Sequence, residues 1–352
     1  MQKVLNKFLL VTYLIRSISW LKLWKLHNRN SKTVCLIIPS YPRRLRTYLS
    51  SGTFVNDFAL IHALIDKGEP FRIVKGRDQV RELKGCTIYH NISKQYYKEN
   101  ASEYAHEYNL WNQEMSIHNE VIPNQADGEY WENKLYMHEQ FNKLNISHPT
   151  TILVDANRRA PAKPELDFPI LFKPAHGSGS TGIEKINNQE EYNHIISTTK
   201  HTEYLLQDWV DMRSDLRLIY IGDELVLHYW RLNETGAWMP TSTGRGSSVD
   251  FVNLPDQWMD FIFQEYKKLD LHTGAFDITW QKDDLNTKPL ILEVSPSYMP
   301  NPAPVGKYLT RPYGEYKNAI WGKDAYYKQY IQLVYKMKKK LIQEYDRRRH
   351  EA

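Results

Sequence analysis

Short apolar runs alternate with stretches of helical periodicity through most of the chain, and this predicts interleaved strands and helices. Thr33-Val-Cys-Leu-Ile-Ile-Pro39 reads as a buried strand. A helix follows over residues 53–67, with Phe54, Phe58, Ile61, Leu64 and Ile65 at helical spacing and Gly68 as its stop. Phe71–Val74 and Cys86–Tyr89 are two further strands, so the order strand, helix, strand implies a parallel sheet. Residues 101–117 and 130–144 carry helical patterns, separated by the short extended piece Val121-Ile-Pro. Beyond them, Ile152–Val154, Ile170–Phe172 and Tyr204–Val210 read as strands. The runs 215–221 and 224–231 flank Gly222-Asp223, a tight-turn pair, and predict a hairpin. Gly274–Trp280 and Pro289–Ser295 read as another antiparallel pair. Helices are expected over 189–199, 255–269 and 323–349. The fold class is α/β, extending to α+β in the second half.

Charge changes this picture at the two ends. The net charge is +5, and basic residues concentrate near both termini. This favours an anionic partner such as a nucleotide, an acidic polymer or a membrane surface. No nucleic-acid recognition motif is present, so no nucleic acid is expected as partner. In residues 1–29 an apolar segment from Phe8 to Ile15 continues through Ile18, Trp20, Leu21, Leu23, Trp24 and Leu26. Lys3, Lys7, Arg16, Lys22, Lys25 and Arg29 punctuate it. Arg16 breaks the run below the length of a spanning helix, and no small-residue cleavage site follows. Such a segment suits a helix lying among lipid headgroups, as a peripheral membrane contact. The other reading is a helix packed on its own protein or on a partner subunit. The basic end, with Lys336, Lys338, Lys339, Lys340, Arg347, Arg348 and Arg349, is either a solvated tail or a second contact to acidic lipid or polymer. Cys35 and Cys86 sit in apolar runs and read as buried thiols in a reducing, cytoplasmic compartment. Oligomeric state is not legible.

The chemistry concentrates around Lys173. This lysine ends the strand at 170–172 and precedes a loop holding Gly177, Gly179 and Gly182, interleaved with Ser178, Ser180 and Thr181. Glycines let backbone N–H groups close over an anion, and the hydroxyls and the lysine add donors and charge. The lysine comes before the glycines, so this is not a P-loop. By itself the stretch could equally be a solvated turn. Asp277 and Glu293 each interrupt an apolar strand. A buried carboxylate without a partner is costly, and two on paired strands would hold Mg²⁺ beside phosphates. A salt-bridged pair is the alternative. The arginines Arg43, Arg44 and Arg46, the loop 241–248 with Arg245, and residues 296–306 with Ser297, Tyr298 and Asn301 are candidate substrate contacts.

Taken in order, these features resemble the ATP-grasp superfamily of carboxylate–amine ligases, nearest in pattern to the branch that holds ribosomal-protein-modifying enzymes and glutathione synthetase. The resemblance covers roughly residues 120–305. It implies an N-terminal pre-ATP-grasp domain over 31–120 and an ATP-grasp domain over 121–310, divided into lobes at 121–212 and 213–310, with basic helical segments at 1–30 and 311–352. It implies that Lys134 and Lys173 bind phosphates and that His176, Gly177, Ser178, Gly179, Ser180, Thr181 and Gly182 form the lid over them. By the same resemblance Gln207, Asp208, Trp209 and Val210 form the hinge that reads adenine, and Asp215 lies near the ribose. Arg231, with Arg245, would meet the acyl phosphate. Asp277, Glu293 and Ser295 match the metal positions, Ser295 standing where asparagine is usual. The loop at 241–246 also lacks the asparagine that often precedes it. The implied cofactors are ATP and one or two Mg²⁺ ions, with Mn²⁺ as an alternative. The implied reaction joins a carboxylate substrate to an amine acceptor through an acyl phosphate, with a surface-glycan or lipid-linked precursor as one fitting substrate. The competing readings are a kinase of the same fold and a non-catalytic nucleotide-binding adaptor.

Overall fold

The computed structural model describes residues 12, 14–37, 53–92, 101–131, 133–155, 160–177, 180–233, 239–243, 246–304, 315 and 324–351. The arginines at 43–46, together with Ser178, Gly179 and Arg245, lie outside the described residues. The chain divides into two compact units. The first is Met1–Gly128 with Met299–Ala303 and Tyr316–Ala352; the second is Glu129–Tyr298 with Pro304–Glu315.

The first unit is built on a parallel sheet of β1 (Thr33–Ile37), β2 (Arg72–Lys75), β3 (Thr87–Tyr89) and β4 (Glu120–Ile122), in the order β2-β1-β3-β4. The short helix α1 (Trp20–Leu26) precedes it, and α2 (Thr53–Lys67) and α3 (Ala101–Ser116) connect its strands. Val34, Cys35 and Leu36 are all buried, so this strand is covered on both faces, as is usual in parallel sheets. Both cysteines are buried free thiols, and burial with the Asp57 charge pushes the Cys35 thiol well above its usual pKa. A short helix, α4 (Gln125–Glu129), closes this part of the chain.

In the second unit α5 (Lys134–Lys143) leads into an antiparallel sheet of β5 (Thr151–Val154), β6 (Ile170–Pro174), β7 (Glu184–Ile186) and β8 (Tyr204–Asp208). Its order is β5-β8-β6-β7, and α6 (Gln189–Thr198) packs on it through Tyr192. A second antiparallel sheet follows: β9 (Ser214–Ile221), β10 (Glu224–Leu232), β11 (Ser248–Asp250), β12 (Thr273–Thr279) and β13 (Leu290–Ser295), in the order β11-β10-β9-β12-β13. The hairpin turns at Gly222 and Asp223, where Gly222 takes a φ of 56°. The helix α7 (Asp256–Lys268) covers one face of this sheet. Alternation decides which residues meet it: Leu216, Leu218, Tyr220, Phe276, Ile278 and Val294 join one core with Ile262 and Tyr266 of α7 and Phe141 of α5. Each such side chain contributes about 1.5–3 kcal/mol by leaving water.

The last helix, α8 (Asp324–Glu351), belongs to the first unit and packs against α2. Tyr330, Ile331, Val334, Met337, Leu341, Ile342 and Tyr345 form its buried stripe. Its basic end is not a bare charge run. Arg347 and Arg348 pair with Glu344, Arg349 pairs with Glu120 and Asp346, and Lys67 reaches Asp346 at 2.8 Å. Carboxylates interleaved along the same helix, and Glu120 beside it, thus pair the three arginines of the stretch that reads as a solvated tail or as a contact to acidic lipid or polymer. Two other expectations shift. Helix α5 begins at Lys134 rather than Tyr130, because Asn133 caps it, accepting from Tyr136 N at 3.2 Å. Strands β7 and β11, three residues each, carry too few positions to show a period.

Candidate active site

The face of the large sheet turned away from α7 is charged, and strand pleating accounts for it. With Leu216 and Leu218 pointing to the core, Asp215 and Arg217 must point the other way. Register then sets their neighbours: Asp215 faces Arg231 across β10, and Arg217 faces Asp277 across β12. Asp277 in turn faces Glu293 across β13. A bulge at Leu292 shifts the register just beyond that pair, so Ile291 still enters the core while Glu293 keeps the polar face. Ser295 lies two residues further along and opposite Ala275, its hydroxyl donating to Ser297 O at 2.7 Å.

Arg231 is the hub of this row. Its Nε donates to Asp215 Oδ1 at 2.8 Å, its Nη2 also meets Asp215, and Nη2 lies 2.9 Å from Asp277 Oδ2. Burial alone would lower the Arg231 pKa, but Asp215 and Asp277 hold the guanidinium charged, well above the ordinary arginine value. Arg217 Nε lies 2.9 Å from Asp277 Oδ1, yet at an angle that makes no hydrogen bond. Asp277 Oδ1 is thus buried beside a positive charge with no directional donor. Asp215, expected near the ribose, has both oxygens on Arg231.

The smaller sheet brings the lysines. Lys173 sits on β6, and its ammonium donates to Gln207 Oε1 on the adjacent β8. Gln207 is fixed from its other end, its Nε2 donating to Thr151 Oγ1 at 2.8 Å. Burial pushes the Lys173 pKa down to about 8, with the Glu293 carboxylate raising it and the Lys134 ammonium lowering it. The three groups are therefore close enough for their charges to matter. Lys134 opens α5: its backbone N donates to Ala175 O at 2.9 Å and its Nζ to Gly177 O at 2.7 Å. Two bonds thus tie the helix start to the beginning of the glycine loop. Within the loop Gly177, Ser180 and Gly182 all take positive φ, and a Cβ on Gly182 would stand 2.9 Å from Pro174 Cγ. Thr181 is exposed, and His176 pairs with Glu203 at 3.0 Å.

The run Gln207–Val210, expected to form a hinge, is divided between strand and loop. Gln207 lies mid-ladder between Thr151 and Leu171, and Asp208 N is committed to Thr150 O at 2.9 Å. Their place is in the sheet, and the run beyond the ladder starts at Trp209, whose ring lies 3.8 Å from Lys185 Nζ, followed by buried Val210. The side chain of Gln207 was missed as a lysine partner, although a lone amide directly after the apolar run Tyr204–Leu206 was the available signal. His138 was also missed. It is buried on α5, its Nδ1 makes no hydrogen bond, and burial with the Lys173 charge keeps it neutral.

The residues fit a divalent cation. Asp277 and Glu293 are register-opposed carboxylates on one face, hydroxyl Ser295 lies beside them, and Asp277 Oδ1 is buried without a directional partner. All are hard oxygen donors of the kind Mg²⁺ takes alongside phosphate oxygens. Among the described residues no cluster of three or more His, Cys, Asp or Glu forms a metal cage. Magnesium bound through one or two carboxylates and substrate phosphates needs no such cage.

Residues 131–299 match the family model of the RimK-like ATP-grasp domain. That segment has the ATP-grasp fold. The chain is similar in fold to D-cycloserine synthetase DcsG, at 12% identity and a TM-score of 0.51, covering 87% of this chain and 99% of that one. It also aligns with the D-alanine–D-alanine ligase of Bacillus anthracis at 11% identity and a TM-score of 0.49, covering 87% and 98%. A RimK domain ATP-grasp protein of Sphaerobacter thermophilus aligns at 13% identity and a TM-score of 0.47, covering 75% and 90%. No curated protein matched by sequence.

Proposed function

We propose that this chain activates a carboxylate with ATP and joins it to an amine, releasing ADP. What supports the reading is that Lys134, tied to the glycine loop at Gly177, and Lys173 lie in the same compact unit as the row Arg217, Arg231, Asp277 and Glu293. Phosphoryl transfer asks little of a protein beyond position and charge. Lys173, held by Gln207, and Lys134, held by the loop, present two ammonium groups to a phosphate tail. Entry of phosphate oxygens would replace the Gln207 and Gly177 contacts with stronger, charge-assisted ones. Magnesium held by Asp277 and Glu293, with Ser295, would offset the charge of the phosphates. Arg231 would meet an oxyanion while Asp215 keeps its plane fixed. The loop at 176–182 would cover the acyl phosphate and exclude water. Arg245 is proposed to share the work of Arg231, and Trp209 and Val210 to border the adenine.

The acid and the amine are the finer part of the proposal. The aromatic, basic N-terminal segment supports a substrate carried at a membrane surface, such as a glycan or lipid-linked precursor bearing a carboxylate. The test is ADP release from a matrix of acids and amino compounds. Turnover should need both, and Lys173→Ala and Glu293→Ala should each abolish it. A phosphorylated product formed without any amine would replace the ligase reading with a kinase.

A further inference from the structure

Helix α1 has the sequence Trp20-Leu-Lys-Leu-Trp-Lys-Leu26, and none of its residues is buried. Five of its seven side chains are apolar, so its own fold does not explain that composition. At about 100° per residue, Trp20, Trp24 and Leu21 fall within one arc of the helix surface. They are 52%, 78% and 64% exposed, and Ile15 just before them is 43% exposed. Leu26 lies on the opposite side and Leu23 toward the edge of that arc, and both are half-covered. Trp20 is held in place by its indole N–H, which donates to Ile15 O at 2.9 Å. Scattered exposed apolar residues need no explanation, but three large ones side by side on a single helix do.

The charge this segment itself carries has one sign. Arg16, Lys22, Lys25 and Arg29 are exposed, and none forms an ion pair. No Asp or Glu precedes Asp57 in the chain. This is the reverse of α8, whose arginines are matched by Glu344, Asp346 and Glu120. Among the described residues no helix is long and apolar enough to cross a membrane, so the segment does not span. Tryptophan and leucine on one arc with unpaired lysine and arginine around them match the boundary of an anionic bilayer.

We propose that α1 and its flanks dock the protein on anionic phospholipid, with Trp20, Leu21 and Trp24 in the interface and Arg16, Lys22, Lys25 and Arg29 on the headgroups. This does not depend on the ligase reading, since none of these residues lies in the unit that holds the lysines and carboxylates.

Cosedimentation of the full chain with vesicles tests it. The protein should bind phosphatidylcholine vesicles containing about 30% phosphatidylglycerol, and bind pure phosphatidylcholine far more weakly. Each headgroup cation is worth about fivefold, so Lys22→Gln with Lys25→Gln should weaken binding about 30-fold. Trp24→Ser should weaken it by about tenfold or more. Adding salt should release the wild type, because surface charges are screened. ADP formation in solution should be the same for wild type and Trp24→Ser. Binding unaffected by Trp24→Ser, or no preference for the anionic vesicles, overturns the proposal. So does a dimer in sedimentation velocity that Trp24→Ser dissolves, since the apolar arc would then cover a second copy. The joint replacement of Trp20, Leu21 and Trp24 by serine provides a second variant, and an unchanged melting temperature verifies its fold.

Discussion

Raising the pH should weaken ATP binding through Lys173 alone, and the structure sets the size of the effect. Burial beside Lys134 lowers the Lys173 pKa to about 8, and Glu293 opposes that shift. The ammonium is therefore present below that value and lost above it. Its charged fraction falls from about nine-tenths at pH 7 to about one-tenth at pH 9. If the charge is what holds a phosphate, the Kd for ATP should rise about tenfold over that interval. Calorimetric titration with Mg-ATP at stepped pH measures it, and proton uptake on binding should rise from about one-tenth of a proton at pH 7 to about nine-tenths at pH 9. Two variants sharpen the test. Lys173→Arg should flatten the profile, because a guanidinium stays charged throughout. Glu293→Gln removes the carboxylate that raises the lysine's pKa, so the midpoint should move below 8. A profile flat between pH 7 and about pH 9, or a midpoint that rises in Glu293→Gln, would refute the placement of these two groups.

Three other outcomes follow from the same geometry. Asp215→Ala strands the buried Arg231 with only Asp277, and should cost about 3–5 kcal/mol, lowering the calorimetric melting temperature by about 10 °C. Gly182→Ala sets a methyl 2.9 Å from Pro174 Cγ at a φ of 74°, and should raise the KM for ATP while leaving near-UV circular dichroism unchanged. Tyr345→Phe removes a hydroxyl that donates to buried Asp127 in the first unit, and should cost about 1.5–3 kcal/mol in urea unfolding without altering ATP affinity.

Local order was written plainly in the chain. The pattern 53–67 matched α2 residue for residue, and the Gly222-Asp223 turn fixed the hairpin of β9 and β10. Lys173, the glycines after it, Asp277 and Glu293 stood out because a charge or a glycine in an apolar run is conspicuous by itself. Which charges meet was a different matter. Asp215 and Arg231 are sixteen residues apart, and only the register of two strands makes them opposite. Whether Gln207 would offer its backbone or its side chain depended on β8 being a central strand between β5 and β6. The basic stretch of α8 likewise could not be judged until Glu344 and Glu120 were seen beside it.

The amino-acid sequence thus determined the elements, the turn, and the presence of a lysine-and-glycine loop with two strand-borne acids. Those depend on neighbours a few residues away, and hydrophobic period and glycine stereochemistry encode them directly. The tertiary structure alone decided that Arg231 is clamped between Asp215 and Asp277, that Lys173 rests on Gln207, and that α1 keeps its tryptophans in water. Those are pairings between distant segments, set by strand register and burial, and no short stretch of sequence contains both partners.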